Sequence, residues 1–170
     1  NHNWSSFGGQ WKVEFILMTA MLIAALYFAL RFKTLAWIII TSGLLITLGT
    51  YPIMLGGYYD TSPDLMWAAN RIATQIFTMG GFIFYVGTAL LYFRNGQLKI
   101  LIGSIATILS LITAAGFLMV FLEVLAWNQI RFFGPIGNVL YVLNAWLGWK
   151  LLQSNKWPAE SHFSVSEVTR

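Results

Sequence analysis

The sequence predicts an all-α integral membrane protein: a single bundle of five transmembrane helices, with the N-terminus outside and the C-terminus in the cytoplasm. Three observations carry that prediction. Five long apolar runs separated by short polar breaks fill most of the 170 residues, and each is close to the roughly 20 residues a helix needs to cross a hydrocarbon core of about 30 Å. Apolar residues make up 58% of the chain and charged residues 9%, whereas charged residues are about a quarter of an ordinary soluble domain. The runs are continuously apolar, without the period-two alternation of lipid-facing barrel strands. The expected spans are 13–30, 35–57, 63–93, 98–127 and 132–152, forming one unit over residues 1–152, with a short polar cytoplasmic tail over 153–170.

Each span has its own boundary signals. The first ends in Arg31 and Lys33 and is too long for the apolar region of a signal peptide. Because the sequence begins with Asn1 rather than methionine, a leader or a further helix is expected upstream. The second contains Pro52, which cannot donate to the carbonyl of Leu48 and should kink or end the helix; the hydroxyl of Thr47 or Thr50 could supply a substitute donor. The third should begin at Ser62-Pro63-Asp64, where a hydroxyl cap, a proline at the first helical position and an acid in the first turn coincide. A helix from there to Phe93 would run roughly 45 Å, longer than the membrane core. Arg94-Asn95-Gly96-Gln97 reads as a tight turn into the fourth span. In the fifth, Pro135 follows Gly134 in the first turn, where its missing N–H costs nothing.

Orientation follows from the positive charges. Arg31, Lys33, Arg94, Lys99, Lys150, Lys156 and Arg170 fall on one side and Lys12, Arg71 and Arg131 on the other. The richer side is expected to be cytoplasmic. Trp4, Trp11, Tyr58, Tyr59, Trp67 and Trp127 mark the outer boundary, and Tyr92, Trp149 and Trp157 the inner one, as interfacial anchors. The net charge of +4 and pI near 9.5 come from these scattered end charges and form no patch, so nucleic acid is not an expected partner.

Small and polar residues recur at helical spacing in the last three spans. Thr74, Thr78, Gly81, Tyr85, Thr88 and Tyr92 form one stripe, and Gly103, Thr107, Ser110 and Ala114 another. On the last helix Gly134, Gly137, Asn138, Tyr141, Asn144, Ala145 and Gly148 share a side. Such stripes let helices approach closely and bond to one another inside a membrane. The lesser alternative is that Asn138, Tyr141 and Asn144 line a polar pathway. Glu123, the acid inside the fourth run, is a functional candidate because intramembrane carboxylates are costly; its expected partner is Arg71 or Arg131. Asp60 and Asp64 form a candidate outer-loop acidic site for a hard cation.

Several chemistries are excluded. With no cysteine there is no disulfide, thiolate catalysis or thiolate metal centre. His2 and His162 lie in opposite tails, which rules out a haem held by two histidines, and every lysine sits at a helix end, which rules out a Schiff-base retinal. Catalytic and phosphate-loop motifs are missing. No cofactor or metal is expected. The reading is a non-catalytic polytopic protein of a plasma or inner membrane type, an accessory or structural subunit whose partners are lipid and other transmembrane helices, including copies of itself. The alternative is a small solute transporter or channel with a polar pathway along the last helix. A third is a lipid-active enzyme using Asp60, Asp64 and Glu123.

Overall fold

Helices begin and end in this chain where backbone chemistry changes, and only in part where hydropathy changes. The computed structural model describes residues 4–58, 62–93 and 100–154. It is all-helical over them: α1 (Trp4–Phe32), α2 (Leu35–Leu48), α3 (Thr50–Tyr58), α4 (Pro63–Phe93), α5 (Ile100–Phe121), a 3-10 turn (Trp127–Phe132) and α6 (Gly134–Ser154). The Arg94–Gln97 turn and the tail beyond Ser154 lie outside the described residues.

Among the described residues four stretches are long and apolar enough to cross a membrane: Gly9–Phe32, Leu35–Gly56, Pro63–Phe93 and Ile100–Phe121. α6 has the length, 21 residues, but Asn138, Asn144 and Lys150 leave it less apolar than the other four. Large apolar side chains cover the outside of the bundle, among them Ile16, Leu17, Ile23 and Leu30 of α1 and Ile100, Leu101, Ile105 and Ile108 of α5. A contiguous exposed surface of this kind suits hydrocarbon rather than water.

α4 starts at Pro63, with the Ser62 carbonyl accepting from the N–H of Met66 at 3.0 Å, as the Ser-Pro-Asp signal requires. The second apolar run breaks as Pro52 demands, but one turn earlier than the proline itself. α2 stops at Leu48, Gly49 caps it, and α3 resumes at Thr50. The Thr50 hydroxyl donates to the Thr47 carbonyl at 2.7 Å and the Thr47 hydroxyl to Gly43 at 2.9 Å. The threonines therefore satisfy neighbouring carbonyls and not that of Leu48. α1 extends nine residues before Val13, because an apolar run marks what can face lipid, not where the helical hydrogen-bond ladder ends.

α4 is the hub, packed against α2, α3 and α5. Its best apolar window is 56% buried, against 11% for α1. The closeness of the α2–α4 crossing comes from glycine. A Cβ added at Gly43 would overlap the backbone of Phe84 and Gly80, one at Gly80 would overlap Thr47, and one at Gly87 would overlap the backbone nitrogen of Ile40. Around this contact Thr78, Thr88, Ser110 and Thr113 are fully buried, and each hydroxyl donates to a carbonyl of its own helix. The small-residue stripes act through close approach, while their hydroxyls bond within their own helices.

α5 is shorter than its apolar run. It ends at Phe121, not at residue 127, and the reason lies in Glu123, whose φ of 59° is left-handed. The N–H of Glu123 donates to the Val120 carbonyl at 3.0 Å and that of Val124 to Met119 at 2.9 Å. These are the paired bonds of a Schellman ending, with glutamate in the position glycine usually takes.

α6 returns along α4 with its inner end beside the end of α1, where Gly148 meets the Phe28 ring. Its packed face carries Gly137, Leu140, Tyr141, Asn144, Leu147 and Gly148. Gly134, Asn138 and Ala145 are exposed. At about 100° per residue, Asn138 and Ala145 stand one step beyond Gly137 and Asn144, just outside the contact arc.

Candidate functional site

The outer ends of α1, α3 and α4, together with the 3-10 turn, enclose a cleft of about 530 Å³. Here "outer" means the end where α1 begins. α1 contributes Gln10, Trp11 and Glu14, one turn apart; α3 contributes Thr50, Tyr51 and Met54, brought alongside by the break at Gly49. α4 contributes Asn70, Ala73, Thr74 and Phe77, which share a face at i, i+3, i+4 and i+7. Trp127 closes the remaining side, its ring edge-on to Phe77 at 5.6 Å between centroids.

Beneath the cleft the bundle is filled by rings. Phe77 meets Phe117 at 5.9 Å, Phe117 meets Tyr85 at 5.5 Å, and Tyr85 meets Phe84 at 5.1 Å and Tyr141 at 6.4 Å. A Cβ at Gly81 would overlap the Phe117 ring, and one at Gly137 would come within 2.6 Å of the Tyr85 hydroxyl. The cleft is therefore floored, and the residues marked as a polar pathway separate below it. Tyr141 belongs to the aromatic floor. Asn144 accepts a hydrogen bond from the Tyr92 hydroxyl further inward, where that hydroxyl also lies 3.4 Å from the Leu140 carbonyl. Asn138 faces outward. Three polar residues within one broad arc thus fall into three different surroundings.

Glu123 and Arg71 are brought together, with Arg71 Nη2 3.0 Å from Glu123 Oε1; the Gln75 amide donates to the same oxygen at 3.2 Å. Arg71 and Gln75 are one turn apart on α4, on the flank next to the cleft-facing residues, and the Arg71 guanidinium also lies 5.5 Å from the Trp67 ring centre. The two side chains are 56% and 60% exposed, so the pair is solvated and modest in strength. What it does is tie the end of α5 to α4 and thereby place the turn that carries Trp127. The side chain of Arg131 lies outside the described residues, as does Asp60. Asp64 is exposed in the first turn of α4 and does not line the cleft.

Glu14 is the site residue that sequence reasoning passed over. It is half-buried, accepts one hydrogen bond among the described residues, from the Gln10 amide at 2.8 Å, and lies within electrostatic reach of the Tyr51 hydroxyl. Its signal was present: an acid at the second position of an apolar run, with a glutamine four residues before it. Among the described residues no group of three or more histidines and acids comes together that could hold a metal ion. The chain matches no known protein-family model, no curated protein and no solved structure.

Proposed function

We propose that the chain is an integral membrane protein crossing the bilayer five times, with the α1 start extracytoplasmic, and that it works by contact as an accessory or structural subunit of a larger membrane assembly. One observation carries this reading. α1 rests on the bundle along a narrow line and leaves an apolar surface open from Val13 to Leu30, while α4 is committed to internal packing. In a membrane, helix faces of this kind are covered by lipid or by other helices. The fifth crossing is supported by α6, whose packed face runs from the aromatic floor near Tyr85 to Phe28 at the far end of α1.

The test is recovery of the intact protein in mild detergent, with photocrosslinkers placed at Ile16, Ile23 and Leu30. The reading expects crosslinks from these positions to one defined membrane protein or to a second copy. Lipid adducts alone at all three would overturn it. Orientation is checked with single cysteines at Ser6 and Gln153 and an impermeant thiol reagent on intact cells: Ser6→Cys should label and Gln153→Cys should not. The transporter reading is favoured only by the cleft, and it requires the ring-filled floor to open. The enzyme reading has less support, since Glu123 is occupied by Arg71 and Asp64 lies outside the cleft.

A further inference from the structure

We propose that the outer cleft binds a soluble organic monocation with an apolar, ring-sized body, its charge set against Glu14 and its body against the aromatic walls. The inference goes beyond the contact role and does not depend on it. Three observations converge. Glu14 is the one charged residue lining the cleft among the described residues, so those residues give the cavity one acidic group and no basic one. The rest of the wall is largely apolar and aromatic, with Trp11, Tyr51, Phe77 and Trp127 one on each of its four sides. Such rings attract cations through their negative faces, and organic ammonium groups most of all.

The third observation is the contrast with the neighbouring acid. Glu123 has its arginine at 3.0 Å within the chain, whereas Glu14 is in no ion pair among the described residues. Lys12 offers none: it is exposed, and two residues from Glu14 it points to the opposite side of α1. A carboxylate against apolar walls is costly unless a counter-charge reaches it. The cavity is large enough for that counter-charge to arrive on a ligand with one aromatic ring.

Isothermal titration of the full chain in maltoside detergent tests this, using benzyltrimethylammonium, with benzyl alcohol and benzenesulfonate as neutral and anionic comparators. The cation should bind and benzenesulfonate should not. Glu14→Gln should weaken the cation by about tenfold, the scale of one lost charge contact. Asp64→Asn removes an equal charge at the same end outside the cleft and should leave the affinity unchanged. Asn70→Trp, which fills the cavity from an exposed position, should weaken binding independently of charge. Equal affinities for wild type and Glu14→Gln, or benzyl alcohol binding as tightly as the cation, would overturn the proposal. Displacement of the cation by diheptanoylphosphatidylcholine below its micellar concentration would also overturn it, by assigning the site to a lipid headgroup.

Discussion

Glu14 and Glu123 lie at the same end of the bundle, on either side of the outer turns of α4, and the chain treats them in opposite ways. Glu123 receives Arg71 and Gln75 and stands at a helix ending in a left-handed conformation that costs about 1–2 kcal/mol in a residue other than glycine. Glu14 sits in regular helix, without backbone strain, and among the described residues receives only the amide of Gln10. One acid has a strained backbone and a satisfied charge; the other has a relaxed backbone and an unsatisfied charge. The difference separates a residue that holds structure from one left available to a ligand, and hydropathy alone ranks the two alike.

The comparison can be broken at its frame. Gly80→Val would force a side chain into Thr47 at the α2–α4 crossing, which fixes how far α3 and the docked α1 stand from α4. The expected cost is about 3 kcal/mol, at the upper end for overpacking because the neighbour is partly backbone. It should appear as early unfolding in a denaturant titration and as loss of the cleft. Asn144→Leu tests the inner end, where a neutral bond from Tyr92 takes the place of the outer ion pair. It should destabilise by about 1 kcal/mol, the size of an interhelical hydrogen bond in a membrane protein. A neutral result would show that rings and glycines alone hold α6.

Glu123→Gly sharpens the contrast, since it removes both the strain and the ion pair. Relief of about 1 kcal/mol at the left-handed position outweighs an exposed pair worth about 0.5 kcal/mol, so thermal stability should rise slightly. Glu123→Ala keeps the strain and loses the pair, and should fall below wild type. If both variants fall equally, the backbone at residue 123 is not strained.

Much of the fold was legible because it rests on local chemistry. Ser62-Pro63-Asp64 starts a helix wherever it stands, and Pro52 breaks one. The end of α5 was not legible: a Schellman ending normally announces itself with glycine, and Leu122-Glu123-Val124-Leu125 reads as more helix. α6 was misread by one position along its arc, because a stripe drawn from residue types is wider than the face that packs, and Asn138 fell at its edge. The cleft could not be found from spacing. It joins Glu14, Tyr51, Asn70 and Trp127, which are far apart in sequence and meet only when the helices pack. That Glu14 forms no ion pair among the described residues is a property of the assembled bundle and not of the sequence.

Glu123 has a counter-ion and Glu14 has none among the described residues, and unfolding Glu14→Gln and Glu123→Gln side by side in the same detergent, without ligand, at neutral pH separates the two cases. Each substitution removes one negative charge and keeps the shape. Glu14→Gln should stabilise the bundle by up to about 1 kcal/mol, because a carboxylate facing apolar walls is relieved. Glu123→Gln should destabilise it by about 0.5 kcal/mol, the value of a solvated pair. The two variants should shift in opposite directions; shifts of the same sign would show that the two acids are held alike.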